Sequence, residues 1–291
     1  MIICMLLPGV LASCDFSKSV HKDLSTGMVT RGSGLSCDDV EILVNGEVTK
    51  ETSFTFGERV EVRFNNMDGF TRTDGKAFPG MSIISTDPDG DTVLHISDTY
   101  ESMTEGYTFD PLVLTAHFNA ADPYFSDNEY HQFIRVWDKK DVKSHFTAEF
   151  DFNVVPNDRI VVEKHQLDCK EIYLYSRERG EAVTDNRIRI NEVINVVFTG
   201  LEGFAEEEGR IYPELSMRIE DAGGEVAVEE SEMFGNQYMD PADLFSHFSP
   251  NFYITDPSLE NPLTISLELW DTKGEGRLSV NTRVDVISGE E

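Results

Sequence analysis

Phe133–Lys140 reads FIRVWDKK, and Leu267–Lys273 reads LELWDTK. The two stretches hold the only two tryptophans of the chain, Trp137 and Trp270, and each is followed by aspartate. Apolar residues alternate through both: Ile134 and Val136 in one, Leu263, Ile265, Leu267 and Leu269 in and before the other. A period of two is that of a β-strand with one face buried. Each tryptophan falls on the more polar face, at the end of its strand.

Working outward, the echo becomes a duplication. Gly57–Phe70 (GERVEVRFNNMDGF) aligns without a gap on Asn191–Phe204 (NEVINVVFTGLEGF). In the same register Pro79 meets Pro213, Asp87 meets Asp221 and Gly90 meets Gly224; upstream, Leu35 and Cys37 meet Leu167 and Cys169. A long internal repeat of this kind predicts two similar domains in tandem. The expected division is a signal peptide over 1–13, a lipidated tether over 14–36, a first domain over 37–156, a linker over 157–168 and a second domain over 169–291. Pro156–Leu167 is a place where one more strand fits.

Both units read as short strands separated by turns. Val40, Ile42 and Val44 alternate up to Asn45-Gly46, a hairpin signal. Phe146, Ala148, Phe150, Phe152 and Val154 share one face. Tyr100–Phe118 reads as a long irregular connection. In unit two, Asp240-Pro241-Ala242-Asp243 reads as a helix start, with Asp as cap and Pro in the first turn. The fold class expected is therefore all-β: two tandem, duplicated immunoglobulin-like β-sandwich domains, with a short helical turn in the long loop.

The formal charge is −30, from 54 acidic and 24 basic residues, and it is spread over both units. Such a field repels nucleic acid and anionic lipid surfaces, so no nucleic-acid partner is expected. Cys37 and Cys169 stand at matching places in separate units, so no disulfide between them is expected. The protein is expected to be a monomer, without cofactor.

Met1–Ser13 is uncharged and holds about ten apolar residues, too few for a membrane-spanning helix. It ends in Leu11-Ala12-Ser13-Cys14, which resembles a bacterial lipobox. That resemblance implies lipid on the Cys14 thiol, cleavage before it, and a membrane as partner through the acyl chains. Asp15–Ser36 is rich in Ser, Thr, Gly and Lys and reads as a stalk.

Few residues suggest chemistry. Asp87, Asp89 and Asp91 alternate around Gly90 as calcium ligands do, but the matching segment Asp221–Glu225 keeps the turn glycine and loses a carboxylate, which favours a hairpin turn. The candidate binding residues are Trp137, Trp270, Tyr124 and Phe125. An aromatic platform stacks on sugar rings or on a partner; the competing reading is a tryptophan folded over the sandwich rim. No catalytic set stands out.

Lipobox, stalk and paired units carrying Gly69-Phe70, Pro79, Asp87, Gly90 and Trp137-Asp138 with their counterparts resemble lipoproteins of gut Bacteroidota. The resemblance implies a cell-envelope, outer-membrane location and a shape, not a chemistry. The expectation is a non-catalytic binding or adhesion module for a glycan or an envelope protein. The alternative is a fimbrial or structural subunit that assembles by strand donation, with Arg31 as a processing site. A glycan-processing enzyme is the remaining reading.

Overall fold

A computed structural model describes residues 18–235 and 237–287, apart from the side chains of residues 246 and 247. The lipobox and Cys14 lie outside the described residues. The first unit runs β1 (Lys18–Lys22), β2 (Val29–Ser33), β3 (Asp39–Val44), β4 (Glu47–Thr49), β5 (Ser53–Thr55), β6 (Arg59–Met67), β7 (Pro79–Thr86), β8 (Thr92–Ile96), β9 (Leu112–Asn119), β10 (Asn128–Asp138) and β11 (His145–Val155). One sheet has the order β1-β2-β11-β10-β7-β8, with β5 parallel to β11; the other is β4-β3-β6-β9.

The second unit runs β12 (Ile160–His165), β13 (Glu171–Ser176), β14 (Glu181–Ala182), β15 (Arg187–Arg189), β16 (Ile194–Thr199), β17 (Pro213–Glu220), β18 (Val226–Glu230), α1 (Pro241–His247), β19 (Asn251–Phe252), β20 (Leu263–Asp271) and β21 (Arg277–Ile287). Its sheets are β12-β21-β20-β17-β18, with β15 parallel to β21, and β14-β13-β16-β19. From β2 and β12 onward the two orders match strand for strand. The fold is two tandem immunoglobulin-like β-sandwiches, each folding from its own copy of the repeat.

Two expected boundaries move. The sequence assigns Val29–Ser33 to a tether and Ile160–His165 to a linker, yet β2 pairs with β11 and β12 with β21. Each is an integral strand of its sandwich. Val-Thr-Arg-Gly-Ser has no apolar alternation; backbone hydrogen bonds to a neighbouring strand hold it, and these leave no mark on sequence pattern. Arg31 accordingly sits in a strand paired on both sides, with its guanidinium on Glu149 at 2.5 Å. β1 has no counterpart, because the residues that precede β12 already form β11.

The connection read as irregular, Tyr100–Phe118, contains β9, whose Leu112, Leu114, Ala116 and Phe118 point inward. In unit two the same place holds α1, capped by Asp240, whose side chain accepts from Ala242 N at 2.8 Å. The Asn45-Gly46 turn has φ of 51° and 88°, the left-handed pair that a tight hairpin requires.

Each unit has its own core. Val60, Val62, Phe64, Ile134, Val136, Phe150 and Phe152 belong to one cluster; Val196, Phe198, Leu215, Ile265, Leu269 and Val280 belong to the other. Burying each such side chain contributes about 1.5–3 kcal/mol before entropy is counted.

The core geometry explains why Gly-Phe and Trp-Asp recur together. Asp138 is fully buried; its Oδ2 accepts from Thr71 N at 2.7 Å and its Oδ1 from Lys140 N at 2.8 Å. Asp271 does the same to Ala205 N at 2.6 Å and Lys273 N at 2.9 Å. In each unit the aspartate after the tryptophan ties the residue after Gly-Phe to its own turn. Gly69 and Gly203 have φ of 92° and 97°, and a Cβ on either would strike the carbonyl oxygen of a crossing chain, Gly34 or Gln166. Only glycine fits there.

Candidate functional site

The residues singled out by sequence do not converge. Trp137 and Trp270 lie on the polar faces of β10 and β20, as their periodicity predicts, and both are half-buried. Trp137 pairs across the sheet with Gly80 and has the Arg135 guanidinium 5.9 Å from its ring. Tyr124 and Phe125 are near the other end of β10, beside Tyr130. Seven residues of strand separate Tyr130 from Trp137, about 23 Å. These aromatics do not form one platform.

Tyr124 corrects the expectation of a binding residue. It is buried, with its ring against Phe118, Tyr130 and Phe152 and its hydroxyl 2.6 Å from Ser85 Oγ. Burial pushes the Tyr124 phenol up to about 12, and the Ser85 hydrogen bond opposes the rise. Composition marks this loop as aromatic, but only packing reveals that its first ring faces inward. Phe125 stays half-buried at the surface.

Asp87 forms a turn. Its Oδ1 accepts from Asp89 N at 3.1 Å and Asp91 N at 2.9 Å; in the second unit Asp221 accepts from Glu225 N at 2.8 Å. Among the described residues no group of three His, Cys, Asp or Glu is placed to hold a metal ion. Cys37 and Cys169 are free, and burial pushes their thiols up to about 12 and about 11. They are inert packing residues.

The junction between the sandwiches is where unassigned polar and aromatic groups gather. β13 presents Glu171, Tyr173 and Tyr175 on the face away from its own core. Tyr173 packs on Phe56 of the first sandwich at 5.2 Å between ring centroids. Glu171, only 4% exposed, accepts from Ser126 N at 2.6 Å and Ser126 Oγ at 2.9 Å. Lys170 Nζ lies 5.4 Å from the Phe125 ring and 5.8 Å from that of Phe245 on α1. Gly57 meets Ala182 so closely that a side chain at 57 would collide with the Ala182 methyl.

Beside these contacts a cleft of about 1290 Å³ opens between the sandwiches. The first sandwich contributes the β3–β4 hairpin around Asn45 and Gly46, β5 and the turn to Glu58. The second contributes Tyr173, Tyr175 and the Arg179–Asp185 segment. The charged lining is mostly acidic, Glu47, Glu51, Glu58, Glu61, Glu181 and Asp185 against Arg59 and Arg179. Burial, with the Glu51 carboxylate adding to it, holds Glu58 above the ordinary glutamate range, while the Thr55 N–H at 2.8 Å opposes the rise. Arg179 is committed to Glu192 Oε1 at 2.7 Å.

Sequence reading passes over this cleft, since each wall alone is an ordinary strand or hairpin. One signal was present. Counting from the matched cysteines, Tyr173 stands where unit one has Glu41. An outward aromatic in only one copy marks a face that the other copy leaves to solvent.

No family model and no curated protein matches the chain. Among solved structures it is similar to the C-terminal domain of wzt, at 12% identity and TM-score 0.33, over 43% of this chain and 77% of that one. It is also similar to pT26-6p, at 11% identity and TM-score 0.26, over 90% and 64%. A third similarity is to the FN1-FN3 domains of chicken CNTN1, at 8% identity and TM-score 0.23, over 88% and 70%. Likenesses this distant carry no argument about function.

Proposed function

We propose that this protein is a non-catalytic binding module of the bacterial cell envelope, carried on a membrane by lipid at Cys14, whose ligand lies in the cleft between the sandwiches. The observation that carries the reading is the cleft itself. Both domains wall it, and Tyr173 and Tyr175 give it flat apolar surface beside hydrogen-bonding groups. That mixture suits a glycan or an extended peptide. The buried carboxylates support a binding role over a catalytic one: Asp138, Asp271, Glu171, Glu192 and Glu214 all accept from backbone N–H groups, side-chain donors or both, and so serve the fold. The outer membrane is the proposed location, resting on the lipobox resemblance.

The test is binding of purified protein spanning residues 18–291 to glycan and envelope-peptide arrays, repeated with Tyr175→Ala. A ligand that binds the native protein and loses at least about tenfold on truncation supports the cleft, since ring stacking is worth about 0.5–1.5 kcal/mol beyond area. A ligand that binds both forms equally places the site elsewhere. Mass spectrometry of the mature N-terminus tests the anchor; an unmodified chain that retains Met1 removes it.

A further inference from the structure

We propose that the cleft takes an extended basic peptide, which adds as a strand to the free edge of β4 and sets arginine or lysine side chains against Glu47, Glu51 and Glu181. This rests on the binding role proposed for the cleft and narrows its ligand from glycan or peptide to peptide.

The strand order points to a peptide. β4 ends the sheet β4-β3-β6-β9 and β14 ends the sheet β14-β13-β16-β19, so each sandwich offers an edge strand. Both line the cleft, with Glu47, Val48 and Thr49 on one wall and Glu181 and Ala182 on the other. β4 pairs with β3 and β14 with β13, and among the described residues no other backbone hydrogen bond reaches either strand. Val44 and Glu47 close the two-residue Asn45-Gly46 turn and share its hydrogen bonds, so the N–H and C=O of Val48 point away from β3. Val48 is itself exposed. An uncovered edge pairs with an extended chain, and main-chain hydrogen bonds then supply affinity whatever the side chains. A sugar has no such ladder to offer.

Charge selects which peptide. Glu47, Glu51 and Glu181 are exposed in the lining, and among the described residues no ion pair engages them. Arg179 is held by Glu192 at 2.7 Å, which leaves Arg59 to face three free carboxylates. A cationic chain is drawn in and an acidic one turned away. Tyr173 has its ring against Phe56, so Tyr175 is the tyrosine left for an arginine to stack on. Ala182 lies directly across from Tyr175, with Glu181 next to it in the chain.

The walls are already set. Gly57 meets Ala182 closely, and Asn45 Nδ2 lies 3.5 Å from Thr184 Oγ1, so contacts between the sandwiches hold β4 and β14 on either side of the opening. A preformed groove spares the ligand the cost of assembling it.

Fluorescence anisotropy with the full chain and labelled peptides of about ten residues tests this. The probe alternates threonine and arginine. One control carries glutamate in place of arginine; a second is N-methylated throughout, which removes every ladder donor and keeps the charge. The probe is expected to bind, and both controls to bind at least about tenfold more weakly. The combined substitution Glu47→Gln, Glu51→Gln and Glu181→Gln, all at exposed positions, is expected to weaken the probe about tenfold through loss of three exposed pairs. It removes three charges from a net −30, so attraction to the molecule at large barely changes. A probe that does not bind overturns the proposal. So does one that binds the glutamine variant as tightly as the native protein, or an N-methylated form that binds as well as the probe. A glycan that binds and is weakened by Tyr175→Ala, with no binding of the probe, overturns the peptide and leaves the cleft standing. A probe that fails, together with no array ligand sensitive to Tyr175→Ala, removes both.

Discussion

The indole of Trp137 occupies the space that a side chain at Gly80 would fill. The two residues are directly opposed across β10 and β7, and a Cβ built on Gly80 would fall within contact-forbidden range of three ring atoms. The matching tryptophan, Trp270, is opposed instead to Glu214, whose carboxylate is buried and accepts from Phe234 N at 2.8 Å. The same repeated tryptophan is seated in two ways.

Gly80→Ala is therefore expected to displace the indole. Forcing one methyl into a packed site costs about 1–3 kcal/mol. Urea unfolding followed by tryptophan fluorescence, in a Trp270→Phe background, measures it. A native-like midpoint and emission spectrum would show that Trp137 yields without cost.

Asp138 has both carboxylate oxygens on backbone N–H groups that have no other place to go. Asp138→Asn sets an NH₂ against one of those donors, and a buried unsatisfied pair costs about 1–3 kcal/mol. Asp271→Asn is expected to do the same to the second sandwich. Because each unit has its own core, each substitution should lower mainly the unfolding transition of its own unit, as read by that unit's tryptophan with the other replaced by phenylalanine.

Glu192 gives the molecule an acid-sensitive point. Burial alone would raise its pKa, but hydrogen bonds from Ser176 Oγ and Arg189 N and the Arg179 guanidinium outweigh it, and the carboxyl is held below the ordinary range. A lowered folded value means stability that is full above the unfolded value and is lost as pH falls through the folded one. Glu192→Gln is expected to lower stability at pH 7 and to flatten the acid limb of the curve. An equal loss at pH 3 and pH 7 would count against this.

A fragment beginning at Cys37 and ending at Pro156 matches the sequence repeat but lacks β2. It leaves the His145–Glu149 edge of β11 unpaired and uncovers Met28's place in the core. It should be less stable and more prone to associate than a fragment of residues 18–156. Equal melting temperatures would return Val29–Ser33 to the role of a tether.

Much of the architecture was legible because sandwich strands announce themselves by alternation. Val60, Val62 and Phe64, or Phe146 through Val154, can bury one face only as strands, and the repeat doubled the signal. The strand that escaped, β2, is held by backbone hydrogen bonds to its neighbours; β12 falls within Pro156–Leu167, where one more strand fits. The candidate site was less legible. Tyr124 is an aromatic in a polar loop whose burial is settled by Phe118 and Phe152, both distant in sequence from one another.

By itself the sequence determined that there are two units, that they are all-β, and that Gly-Phe, Pro and Trp-Asp recur in both; periodicity and duplication are local properties that one chain displays in full. Only the tertiary structure decided that Glu171 meets Ser126, that Tyr173 covers Phe56, and that a cleft lies beside them. Those pairings join residues of different units, and no repeat within either unit carries information about how its neighbour packs against it.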